Sequence, residues 1–124
     1  MASCLHMCLK VADADRSAEW YKDLLGFEDS WEFTSEDGST RNVYVAGENG
    51  FELQLSDTEG LDEFEEGTAW DHIAVGVDDV DALVASVDDE WVAEEPSDQP
   101  AAGARTAFLE DPDGHDVELI EPLE

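Results

Sequence analysis

The sequence predicts an α+β fold built from two βαβββ modules, on three observations. The chain repeats itself: residues 41–55 (RNVYVAGENGFELQL) lie without a gap on residues 105–119 (RTAFLEDPDGHDVEL). Upstream, residues 5–11 (LHMCLKV) correspond to residues 71–77 (DHIAVGV), and each stretch runs into a helix-start signal, Asp13 or Asp79. Behind those signals the apolar residues fall at helical spacing.

Taken in order, each module reads strand, helix, then three strands. In the first, Ala14, Ala18, Tyr21 and Leu25 form the helical stripe, and Gly26 is a C-terminal stop. In the second, Val80, Leu83, Val84 and Val87 form it. The last two strands of each module are joined across Asn49-Gly50 or Asp113-Gly114, pairs favoured at the positive φ angles of two-residue hairpin turns. The divide falls in the acidic stretch 57–69, which contains Gly60 and Gly67. The expected modules are residues 1–58 and 68–124. They are expected to form one domain over 1–124, because neither sheet could bury its apolar face alone.

Composition narrows the function. The chain of 124 residues is 42% hydrophobic in periodic blocks, so it is not a disordered acidic tail. It carries 34 Asp and Glu against five Lys and Arg, a formal net charge of −29 spread over its whole length. Such a surface fits a halophilic protein, for which a Debye length of ~3 Å in molar salt screens the self-repulsion. Nucleic acids and anionic membranes need basic patches, which are missing. No apolar run approaches the ~18 residues of a membrane span and no signal-peptide core is present, which points to a cytoplasmic protein. Cys4 and Cys8 would sit ~13 Å apart on an extended strand, too far for a disulfide, so both are expected as free thiols.

The repeat also pairs polar residues. His6 matches His72, and Gln54 matches Glu118. Strand parity puts Glu52, Gln54 and Ser56 on one face and Phe51, Leu53 and Leu55 on the other. With the apolar faces against the helices, the two histidines, Gln54 and Glu118 line the opposite, concave faces. A single strand histidine is ordinarily a hydrogen-bonded wall residue, but two matched His-plus-oxygen pairs suit a divalent metal with room for substrate. Cys4 and Cys8 share the parity of His6 and are read as wall residues. Trp20 and Tyr21 are read as packing on the first helix, and His115 as packing on the Val117 face.

These stretches carry a family resemblance. Residues 5–11, Asp15-Arg16-Ser17, Trp20-Tyr21 through Leu25-Gly26, residues 66–75 (EGTAWDHIAV), 108–114 (FLEDPDG) and 117–121 (VELIE) resemble the vicinal oxygen chelate superfamily, and within it glyoxalase I. The resemblance implies an eight-stranded, mostly antiparallel cupped sheet holding one divalent metal ion, with nickel or cobalt favoured by analogy over zinc or manganese. Its ligands would be His6, His72, Glu118 and a fourth from residues 51–55: Gln54 by register, or Glu52 if a bulge shifts the strand. It implies that Glu118 is the base converting the hemithioacetal of methylglyoxal and a small thiol into a 2-hydroxyacyl thioester. Lys10 stands where the family holds the thiol's carboxylate. Thr58 stands where the family commonly has an asparagine for glutathione, which leaves room for another thiol such as γ-glutamylcysteine. A homodimer is implied, with modules pairing within or between chains. The rival readings are a methylmalonyl-CoA epimerase-like enzyme, whose His-Gln-His-Glu ligand set Gln54 favours, and a ligand-sequestering protein of the bleomycin-resistance type, which would need no metal.

Overall fold

In the computed structural model, which describes residues 2–124, the chain divides into two compact units, Met1–Glu65 and Glu66–Glu124. The first contains β1 (His6–Lys10), α1 (Ala14–Leu25), β2 (Glu28–Thr34), β3 (Thr40–Ala46) and β4 (Glu52–Thr58). The second contains β5 (Ile73–Gly76), α2 (Val80–Ser86), β6 (Val92–Gln99), β7 (Ala104–Glu110) and β8 (Asp116–Pro122). The eight strands form two four-stranded sheets, ordered β1-β4-β3-β2 and β5-β8-β7-β6. In each, the first strand runs parallel to the last and the other pairs are antiparallel. A parallel neighbour demands a long crossover, which the helix and two strands supply.

Period-2 alternation gives each sheet a buried face. In the first unit Val43, Val45, Leu53 and Leu55 are buried, along with Ala14, Ala18 and Tyr21 of α1. In the second, Ala107, Leu109, Val117 and Leu119 are buried, along with Val80 and Val84 of α2. Each fully buried leucine or valine contributes about 1.5–3 kcal/mol.

The helix boundaries follow their caps. Asp13 Oδ1 accepts from the Arg16 N–H at 3.1 Å, and Gly26 closes α1 in the left-handed region at φ 73. Asp79 Oδ1 caps α2 through the Ala82 N–H at 3.0 Å. α2 stops at Ser86, one residue short of the predicted stripe, because Val87 is already extended with ψ 159. A strand carboxylate adds a second cap to each helix. Asp57 accepts from the Ala14 N–H at 2.9 Å, and Glu121 from the Val80 N–H at 2.8 Å.

The hairpin turns differ from the prediction. Gly47 N–H donates to Phe51 C=O and Gly50 N–H to Gly47 C=O, leaving a three-residue loop between paired residues. Asp111, His115 and Gly114 repeat this pattern. Only the glycines take positive φ, 83 at Gly50 and 86 at Gly114. Asn49 and Asp113 are not left-handed, because in a type I turn with a following bulge one left-handed residue suffices. The buried Asp111 braces the second loop, its Oδ1 accepting from the N–H groups of Asp113 and His115, each at 2.9 Å.

Candidate functional site

Each sheet turns a polar face away from its helix, and the predicted residues stand on these two faces. In the first unit, β1 contributes His6, Cys8 and Lys10, and β4 contributes Glu52, Gln54, Ser56 and Thr58. Parallel register sets His6 beside Glu52, Cys8 beside Gln54 and Lys10 beside Ser56. On β3, Tyr44 pairs with Gln54 and Asn42 with Ser56. The His6 ring meets Tyr44 edge-on, with centroids 5.5 Å apart at 89°. Gln54 Nε2 donates to Asn42 Oδ1 at 2.9 Å. Lys10 Nζ donates to Ser56 Oγ at 3.3 Å, and Thr58 shares a 3.0 Å hydroxyl contact with Thr40.

In the second unit, His72 stands just ahead of β5 and Glu118 in the middle of β8, their Nε2 and Oε1 atoms 3.1 Å apart. Phe108 pairs with Glu118 across the β7–β8 ladder and meets the His72 ring edge-on, 5.4 Å away at 86°. The repeat therefore extends to the aromatic wall behind each imidazole. The Asp71 carboxylate lies against Nδ1 on the other side of the His72 ring. That hydrogen bond first, and the Glu118 charge second, hold the imidazole pKa above its ordinary value against the opposing effect of burial. With Nδ1 held by the Asp71 carboxylate, Nε2 is the ring atom turned toward Glu118. Glu118 opens on a cavity of about 650 Å³ shared with Glu94, Ser97, Thr106 and Phe108.

The choice between Gln54 and Glu52 is geometric. β4 pairs with β1 and β3 in continuous register, without the bulge that would bring Glu52 into play. Gln54 faces Cys8 and Tyr44 as Glu118 faces Ala74 and Phe108, so Gln54 holds the Glu118-equivalent position. Glu52 is instead engaged by the Ser30 hydroxyl.

The donor set suits a divalent ion. Metal–ligand bonds of about 2.1 Å place donors at right angles roughly 3 Å apart, the spacing of His72 Nε2 and Glu118 Oε1. Imidazole and carboxylate, the donors of His72 and Glu118, fit first-row metals of intermediate softness. Another acidic group, Asp79, Asp81 and Glu121, brings carboxylate oxygens within 4.8 Å of one another. These oxygens are already engaged: Asp79 and Glu121 cap α2, while Asp81 grips Arg105 at 2.8 and 2.9 Å. Cys4 and Cys8 are free thiols, and His115 is buried against Glu66 at 3.3 Å. Trp20 and Tyr21 are buried on α1. Among the described residues no helix is long and apolar enough to cross a membrane.

Comparison with known proteins gives the family. The family model of the Glyoxalase/Bleomycin resistance protein/Dioxygenase superfamily matches residues 3–119. The lactoylglutathione lyase of Haemophilus influenzae is 39% identical over 124 residues, covering 94% of this chain and 90% of that protein. Among solved structures, a glyoxalase I mutant from Zea mays matches with a TM-score of 0.86 and 26% identity. That match covers 98% of this chain and 45% of the maize chain, so this chain spans under half of its length. The trypanothione-dependent glyoxalase I of Leishmania major matches at TM-score 0.82 and 30% identity, over 98% of this chain and 87% of its own. Repeat, register and relatives thus converge: the chain belongs to the Glyoxalase/Bleomycin resistance protein/Dioxygenase superfamily and, within it, to the lactoylglutathione lyases.

Proposed function

We propose that this chain is a glyoxalase I-type lyase that detoxifies methylglyoxal, converting its hemithioacetal with a small thiol into a 2-hydroxyacyl thioester. The observation that supports this best is the 3.1 Å approach of His72 to Glu118 on a polar sheet face, with His6 and Gln54 at the repeat-equivalent sequence positions. His6, Gln54, His72 and Glu118 would hold one divalent ion. When bound, that ion supplies Lewis-acid stabilisation of the negative charge that develops on the substrate oxygens.

The chain's own residues do the rest. Glu118, as the carboxylate, takes the proton from the carbinol carbon that carries the thiol, and the C–H electron pair passes into the carbon framework. It then returns the proton to the neighbouring carbon, while the carbinol O–H proton passes to the oxygen of that neighbouring carbon. The first carbon becomes the thioester carbonyl, the second carries the new hydroxyl, and the enzyme is unchanged. Gln54 has no proton to exchange at its oxygen, so Glu118 is the only carboxylate of the matched quartet and carries both transfers. The open cavity beside Glu118 admits the substrate. Lys10, on the same face as His6, offers a cation to a carboxylate of the thiol, with Thr58 further along that face. A homodimer is the proposed assembly.

The test is thioester formation from methylglyoxal with several thiols and metals in high salt. Replacing Glu118→Gln should lower turnover by about 10²–10⁴-fold, the range for losing a general base, with an unchanged circular dichroism spectrum. Full activity in that variant would remove Glu118 as the base. Gln54 is the one feature that fits an epimerase better. Turnover of methylmalonyl-CoA without thioester formation would favour that second reading.

A further inference from the structure

We infer that Asn42 is a positioning residue that turns the Gln54 amide so that its oxygen, not its nitrogen, faces the metal. The inference rests on the metal reading given under Proposed function. An amide differs from a carboxylate in one respect that matters here: only one of its two ends can donate electrons to a cation, and the other presents N–H groups. A glutamine ligand therefore needs something to select its orientation, and a glutamate does not.

The structure supplies such a selector next to Gln54. Gln54 Nε2 donates to Asn42 Oδ1 at 2.9 Å, which commits the nitrogen end and leaves Oε1 as the end that Asn42 does not hold. Asn42 is only 5% exposed, on the central strand β3, so its carbonyl is held where water competes weakly. The other half of the repeat serves as an internal control. Thr106 stands at the position equivalent to Asn42, paired with Ile120 as Asn42 is paired with Ser56. There the ligand-position residue is Glu118, whose two oxygens are equivalent. The amide partner occurs in the half that has an amide, and the half with a carboxylate has a threonine.

The test is divalent-ion affinity by chelator competition with cobalt(II), together with solvent exchange of the Gln54 side-chain NH₂ measured by NMR on the metal-free protein. Asn42→Thr, which copies the other module, should weaken cobalt binding about tenfold or more, the usual cost of losing an outer partner of a ligand. It should also speed exchange of the Gln54 NH₂. Asn42→Asp, which keeps an acceptor for Nε2, should bind at least as tightly as the wild type. In a Gln54→Glu background the Asn42→Thr change should cost less than about threefold, because the cycle removes the need for orientation. Wild-type affinity in Asn42→Thr, or an equal loss in both backgrounds, would overturn the inference while leaving the metal site standing. Failure of the wild type to bind cobalt would overturn both.

Discussion

A histidine becomes a dependable metal ligand when its second nitrogen is tied, and His72 has Asp71 on that nitrogen and Glu118 beside the first. Removing the tie through Asp71→Ala should lower divalent-ion affinity by about 10–100-fold, read by chelator competition. Unchanged affinity would show that Asp71 is a bystander. The outward facing of His6, Gln54 and Glu118 was legible in the sequence, because side-chain parity on a strand depends only on counting by two. The aromatic wall was equally available and was missed. Tyr44 and Phe108 stand at the same offset as Gln54 and Glu118, so the repeat marked them. Asn42 and Asp71 could not be found that way. Their counterparts, Thr106 and Leu5, are chemically unlike them, so only the three-dimensional contacts identify them.

At the scale of elements, local signals were read well and distant ones were not. Asp13 and Asp79 announce helix starts because a cap lies next to the N–H it satisfies. Asp57 and Glu121 cap the same helices from strands β4 and β8, 43 and 41 residues away, and no local pattern reveals that. They too match across the repeat, each lying three residues past a proposed metal-binding position. Replacing either by alanine should cost about 1 kcal/mol in urea denaturation, the typical loss for a helix cap. No loss in either variant would assign those N–H groups to solvent. The hairpins were placed correctly but typed wrongly. The Asn-Gly and Asp-Gly pairs gave the location, while the extra residue of the loop follows from the pairing of Gly47 with Phe51 and of Asp111 with His115.

Over the whole molecule the net charge of −29 sets the electrostatics. Two of the five cations, Arg41 and Arg105, each bridge a strand to the first turn of a helix through Asp15 and Asp81. Salt weakens such exposed pairs, which are worth only about 0–1 kcal/mol each. It also screens repulsion among 34 carboxylates, a far larger sum. The midpoint of thermal unfolding should therefore rise as sodium chloride goes from about 0.1 to 2 M, where the Debye length shrinks from ~10 Å to below ~3 Å. A flat or falling midpoint would mean that the surface acids are not under repulsive stress. The proposed chemistry requires both modules to serve one ion. The most direct measurement is cobalt binding to the wild type, His6→Ala and His72→Ala, compared by chelator competition. Loss of tight binding in both variants is the expected result. Retention of wild-type affinity in either one would contradict a shared centre.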